Sequence, residues 1–389
     1  MNFTYIIILY KYKYFILLFL LLILFNIIIK YKLENIYREI EKYIKFNLEG
    51  NLIHSTTEFY KRDIPEISII ISTYNGEVYL KSALRSIQNQ NFLNIEIIIV
   101  DDGSRDNTLK VANHLMNEDK RIKLLSNNIN RGLFYTIIKG VLNAKGRYVM
   151  TLDQDDLYST NCVFSILYNE ANKYNLDLLG FSGIYSGPQL KNIGKSKFLN
   201  YIGTGVINKP NIKKRFLGSV SEIQSATNLC LYLIKTQLFL YTIKLLGDSF
   251  INRNIDSGDD TILTFMFSRS AKALKHFKKI CYIIFKWPEK YSESLKFQRN
   301  IKQIERESKR CYSYLTFIEV LFKFTENSDK FIAEKYFLIF FLNQQKCRNN
   351  SGVKNDSIRI CNLFLNNPYI SSRTKRKIFI YLNPTHQNL

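Results

Sequence analysis

The chain has 389 residues, 46% of them hydrophobic and 14% aromatic, enough to bury a large core in one domain with appendages. Its formal charge of +22 favours anionic partners such as a nucleoside diphosphate, an acidic membrane surface or nucleic acid. The lysines are dispersed among Ile, Asn, Tyr and Phe, however, so charge alone is a weak guide. Cys162, Cys230, Cys281, Cys311, Cys347 and Cys361 are far apart with no C-x-x-C pair, which excludes a disulfide-built scaffold and argues against a structural zinc site.

Tyr14 to Ile29 is apolar except for Asn26, with Lys11 and Lys13 before it and Lys30 and Lys32 after it. It reads as a membrane span or a signal-peptide core. No small-residue cleavage site follows, and the flanking lysines can snorkel to the headgroups, so an uncleaved single-pass anchor over residues 1–32 is expected. Orientation stays open between the cytoplasmic face and an ER or Golgi lumen. Arg38, Lys42 and Lys45 after the span favour the first, whereas the sequons at Asn349 and Asn355 are usable only in the second. Leu33 to Phe46 reads as a charged helical stem and Asn47 to Pro65 as a polar linker, so residues 33–65 form a stem or linker.

From residue 66 the pattern changes to alternating strands and helices. Ile67 to Ser72 is an apolar strand, Glu77 to Gln90 has helical spacing, and Ile95 to Val100 is a second strand with the continuous β-branched character of a sheet covered on both faces. A helix at Asn107 to Met116, a strand at Ile122 to Ser126, a helix at Leu133 to Asn143 and a strand at Tyr148 to Leu152 continue the series. This α/β alternation predicts a right-handed, doubly wound, mostly parallel sheet. Beyond Asp156 the expected elements are a helix at Cys162 to Tyr174, a strand at Leu176 to Phe181, a basic Gly-punctuated stretch from Ser186 to Gly218, a helix at Asp259 to Lys275 and a strand at Cys281 to Phe285. From Asn300 the pattern is helical, with a basic cluster at Arg373 to Lys377, giving an expected helical C-terminal extension over 299–389.

Two strands end in clustered carboxylates. Asp101 and Asp102 close the second, where open parallel sheets bind their ligands. In Leu152 to Asp156, Asp153 and Asp155 stand two apart and can face one site. Such a pair repels unless a divalent Mg or Mn ion resolves the charge, and that ion can also clamp a diphosphate. On this reading Asp155, or Asp156 beside it, holds the metal, while Asp153 faces a ribose. Taken singly, each motif has a plainer explanation: capping acids at 101–106, a packing ring for Tyr74, a surface turn for Arg131.

Four segments in order carry a resemblance: Ile71 to Gln90 (ISTYNGEVYLKSALRSIQNQ), Val100 to Thr108 (VDDGSRDNT), Asn128 to Leu133 with Gly146 to Asp156, and Ser257 to Asp260 (SGDD). Together they resemble the family 2 glycosyltransferases of the GT-A fold type, over about Ile67 to Leu295, and a GT-A domain is expected at 66–298. The resemblance implies a nucleoside diphosphate sugar donor, with Thr73, Tyr74 and Asn75 against the nucleotide and Asp101 or Asp102 on the base edge. It also places Arg131 nearby and makes Asp153 and Asp155 the D-x-D pair. Where the family usually has Glu-Asp at a helix start, this chain has Asp259 and Asp260. Asp260 is thereby implied as the base that takes the proton of an acceptor hydroxyl, in a single displacement with inversion. Relatives carry a tryptophan near the segment Ser225 to Leu240, whereas the single tryptophan here is Trp287, so the acceptor (glycan, protein or lipid) does not transfer.

A competing expectation is a catalytically silent sugar-nucleotide-binding scaffold at a membrane. A nucleotidyltransferase would need a Gly-rich phosphate loop that Ser72 to Leu80 lacks, and no basic-aromatic module indicates nucleic acid. His54, His114, His276 and His386 have no ligand spacing and are expected to fill surface or core.

Overall fold

The computed structural model describes residues 64–186, 205–209, 211–212, 228–253, 255 and 258–285, with scattered positions between 313 and 382. The expected anchor at 1–32, the stem up to residue 63 and much of the C-terminal extension lie outside the described residues. Among the described residues no helix is long and apolar enough to cross a membrane.

Strand β1 (Ile67–Thr73) lies at the centre of a parallel set, between β2 (Ile95–Asp101) and β4 (Tyr148–Asp153), with β3 (Ile122–Ser126) outside β2. Its side chains alternate between two buried layers. Ile67, Ile69 and Ile71 pack on the side of α1 (Leu80–Gln88) and α2 (Thr108–Glu118), while Ile70 faces α3 (Leu133–Leu142). Helix α3 approaches closely because Gly140 has no side chain: a Cβ there would lie 2.4 Å from Ile70 Cγ2. The register sets Thr73 opposite Asp101 and Ser72 opposite Asp153, so three strand ends stand side by side at roughly 4.8 Å spacing.

The second half departs from the expected mostly parallel sheet. After β5 (Leu157–Tyr158) and α4 (Val163–Lys173) come β6 (Leu178–Ser186), β7 (Ile207–Asn208), β8 (Tyr232–Lys235), α5 (Thr236–Leu246), α6 (Asp248–Ile251), α7 (Asp259–Ser270) and β9 (Ala273–Phe285). The sheet order is β3-β2-β1-β4-β8-β6-β9-β5, with β7 on β9. Pairs β4–β8, β6–β8, β5–β9 and β7–β9 are antiparallel and only β6–β9 is parallel. The regular βα rhythm stops at Asp156, and antiparallel neighbours need no crossover helix between them.

Two boundaries also move. The helix expected to reach Lys275 ends at Ser270, because Ala271 is extended and the Lys272 N–H donates to Asp177 Oδ2 at 2.7 Å. The strand expected from Cys281 starts instead at Ala273; its lysines imitate the polar face of a helix. His276 in this strand fills core as expected, edge-on to Tyr232 and against Gly180, where a Cβ would fall 1.9 Å from its ring. In the C-terminal region Phe317 and Val320 join the core beside α6, Arg253 donates to both oxygens of Glu319, and α8 (Ser372–Leu382) carries the basic cluster.

Candidate active site

The loop after β1 is built to be rigid. Asn75 takes a positive φ of 49°, accepts the Arg105 N–H on its own Oδ1, and its N–H donates to the Ser104 hydroxyl. The Gly76 N–H donates to Thr108 Oγ1 and the Glu77 N–H to Asp106, while Glu77 in turn accepts the Asn107 N–H. The motif Gly103 to Thr108 therefore knits the β1 loop to the β2 loop. Asn75, expected on the nucleotide, has its side-chain oxygen and its amide engaged in that seam.

Asp101 and Asp102 divide their labour, a point on which the sequence is neutral. Both oxygens of Asp102 are engaged: Oδ1 accepts the Asn127 side chain and the Arg131 N–H, and Oδ2 accepts the Gly132 N–H. Asp102 thus shapes the entry to α3. Asp101 accepts two loop N–H groups and the Ser126 hydroxyl on Oδ2, while its buried Oδ1 has no hydrogen-bond partner. Of the two, Asp101 keeps an acceptor available for a ligand. The Arg131 guanidinium lies over the Tyr135 ring at 4.4 Å and donates to Asn252 Oδ1 at 3.0 Å. Thr73 is buried, and its hydroxyl donates to Gln154; Tyr74 is half-buried beside it.

The acidic residues of two distant segments meet. After β4 the chain turns tightly, with the Asp156 N–H on the Asp153 carbonyl and the Asp153 N–H on the Tyr282 hydroxyl at 3.2 Å. Across from it, Gly258 sits at a φ of 82° that lets α7 start abruptly, and Asp259 and Asp260 occupy its first turn, where the helix dipole favours anions. Burial, then the charges of Asp155 and Asp259, push the Asp153 carboxyl up to about 7. Burial raises Asp259 to about 6, and it raises Asp155 as well. Asp260 is driven well above the usual carboxylate range by burial and then by Asp259 and Asp153. Asp259 Oδ2 is buried without a hydrogen-bond partner.

Burial and neighbouring negative charge thus act on one group of carboxyls, and oxygen donors of this kind would suit Mg or Mn rather than zinc. Among the described residues no three His, Cys, Asp or Glu side chains form a ready-made metal cage. Magnesium-type ions are usually held by one or two carboxylates with substrate phosphates completing the shell, so Asp153 and Asp155 are the residues that would supply the protein's share.

Three residues at the site escape sequence reasoning. Gln154 bonds to the β1 loop. Tyr282 supports the Asp153 backbone. Cys230 lies close enough to Asp153, Asp260 and Asp156 that, after burial, their charges raise its thiol well above the ordinary range. All three are uncharged at neutral pH, and Cys230 and Tyr282 sit in apolar runs, so no motif marks them.

Residues 68–226 match the sequence model of glycosyl transferase family 2. Over these residues the chain is similar to that family. An "uncharacterized glycosyltransferase" of Haemophilus influenzae is 33% identical over 145 residues, covering 36% of this chain and 57% of the relative. A GalNAc(5)-diNAcBac-PP-undecaprenol beta-1,3-glucosyltransferase of Campylobacter jejuni is 39% identical over 111 residues, 28% of this chain and 36% of that protein. The chain thus matches from about a third to just over half of the length of these relatives. Among solved structures, S. aureus TarS in complex with UDP-GlcNAc superimposes with a TM-score of 0.57 at 16% identity, covering 82% of this chain and 87% of that one. The family 2 match takes in both strand-end acidic motifs but stops before Asp259 and Asp260, which are tied to Asp153 by the charge interactions among the three carboxyls.

Proposed function

We propose that this protein is a family 2 glycosyltransferase that moves a hexosyl group, with inversion, from a nucleoside diphosphate sugar to an acceptor hydroxyl. The convergence of Asp153 and Asp155, from the end of β4, with Asp259 and Asp260, from the start of α7, carries the reading. The C. jejuni glucosyltransferase among its relatives supports the hexosyl assignment. The donor's base lies at the ends of β1 and β2, with Tyr74 beside it and Asp101 Oδ1 accepting from its edge. Asp102 contributes by fixing the loop of Arg131 and Gly132.

A divalent cation held by Asp155 and Asp153 would neutralise charge on the departing diphosphate. Asp260, a strengthened base at the mouth of α7, takes the proton of the acceptor hydroxyl as that oxygen bonds to the anomeric carbon, and the glycosidic electron pair leaves with the nucleoside diphosphate. A single displacement with one base inverts the anomeric centre. Burial first, and then the charges of Asp259 and Asp153, keep the Asp260 carboxyl basic. The N-terminal apolar run at 14–29 would tether the domain to a membrane, placing the acceptor near that surface.

Incubating the full chain with UDP- and GDP-sugars, Mn and a panel of hydroxyl acceptors tests this. Asp260→Asn should lower transfer by roughly 10²–10⁴-fold with donor binding retained, whereas Asp155→Asn should weaken both. Unchanged turnover in Asp260→Asn would remove the base assignment. Donor binding without turnover in the wild type would favour the silent scaffold.

A further inference from the structure

Gln154, between the two aspartates of the acidic turn, bonds to the loop that carries the nucleotide. Its Oε1 accepts the Thr73 hydroxyl at 2.6 Å and the Tyr74 N–H at 3.0 Å, and its Nε2 donates to the Tyr74 carbonyl at 3.2 Å. The side-chain amide thus pairs with the Tyr74 backbone at both its N–H and its carbonyl, extending the β1–β4 ladder past its last backbone pair, Ser72 with Asp153. Space is reserved for this contact. A Cβ on Gly76 would lie 2.2 Å from Gln154 Oε1 and 2.5 Å from Thr73 Oγ1.

On one side of this clamp, Asp153 and Asp155 flank Gln154 in the chain. On the other, Thr73 and Tyr74 continue into Asn75 and Gly76, which are pinned to the β2 loop beside Asp101. Any shift of the acidic turn is therefore transmitted to the loop that meets the base, and the reverse.

We propose that Gln154 is a positioning residue that couples cation binding at Asp153 and Asp155 to nucleotide binding at the β1 loop, so that each ligand raises the affinity of the other. The inference rests on the nucleotide-sugar function proposed above. Linkage makes the effect reciprocal: the factor by which Mn tightens the nucleotide equals the factor by which the nucleotide tightens Mn. A passive brace would lower both affinities without changing that factor.

The test is calorimetric titration of the full chain with UDP and GDP, with and without Mn, taking the tighter nucleotide as probe. Gln154→Leu should cut the Mn-dependent enhancement of nucleotide affinity by about tenfold, within the usual range of such couplings. Thr73→Val, which breaks one of the three bonds from the other side and guards against misfolding of the first variant, should cut it in the same direction by a smaller factor. Thr73→Ser should keep the enhancement, and the double variant Thr73→Val with Gln154→Leu should lose no more than Gln154→Leu alone. An enhancement factor that is unchanged in Gln154→Leu and Thr73→Val, whatever happens to the separate affinities, overturns the coupling. A wild-type chain that binds neither nucleotide with Mn overturns the underlying function and the coupling with it, an outcome readily told from the first.

Discussion

Asp153→Asn should stabilise the metal-free protein at alkaline pH. In the folded chain the Asp153 carboxyl is raised from 3.8 to about 7 by burial and by the charges of Asp155 and Asp259. Between those values the native state holds more protons than the unfolded state, so this group's contribution to stability falls as pH rises through the window and is fully lost above it. With an unfolded value near 3.8, the loss between pH 5 and pH 8 is about 2–3 kcal/mol, at 1.36 kcal/mol per pH unit. For a domain of this size that corresponds to a fall in Tm of roughly 5–10 °C. Thermal melts of wild type and Asp153→Asn in EDTA from pH 4 to pH 8 should coincide near pH 4 and diverge upward, the variant melting higher at pH 8. Parallel profiles, or a variant that melts lower at pH 8, would refute the picture of carboxylates held in mutual repulsion.

Other changes probe the scaffold. Asp102→Ala removes the acceptor of the Arg131 and Gly132 N–H groups, which are part-buried, and one of the two partners of the buried Asn127 amide, so the cost stays below three full penalties of about 1–3 kcal/mol and should be roughly 2–4 kcal/mol in urea denaturation. Gly140→Ala pushes a methyl against Ile70 and should destabilise by about 1–3 kcal/mol in the same assay, with donor affinity nearly unchanged. Gly76→Ala should displace Gln154 and reproduce the lost Mn enhancement of Gln154→Leu in titration. With Mn at saturation, the stability gap between pH 5 and pH 8 should narrow in the wild type, because deprotonated carboxylates bind the ion and binding releases protons.

The parallel half of the sheet is legible in the sequence because its strands are uninterrupted apolar runs, rich in Ile and Val, separated by amphipathic helices, a pattern set by burial on both faces. Ile95 to Val100 and Tyr148 to Leu152 lie within one residue of their observed ends. The other half is legible only in part: the helix expected at Cys162 to Tyr174 and the strand expected at Leu176 to Phe181 are there as α4 and β6. Strands β5, β7 and β8 are too short to show a period, and from Ala273 to Ile280 strand β9 mixes basic with apolar residues in a way that fits a helix face as well as a strand. The site divides similarly. Charged residues announce themselves at the strand ends, but which of Asp101 and Asp102 keeps a spare oxygen depends on the backbone N–H groups of Arg131 and Gly132, far along the chain from either aspartate. Gln154 is invisible as a contact because an amide between two aspartates looks like a spacer until its partner loop is in place.

The most direct trial of the central claim is anomalous diffraction from crystals grown with Mn and a nucleoside diphosphate. The account requires a manganese peak between the Asp155 and Asp153 carboxylates and the diphosphate, with Asp260 facing the open side where a sugar would sit. A peak elsewhere on the surface, or a nucleotide bound away from the ends of β1 and β2, would contradict it.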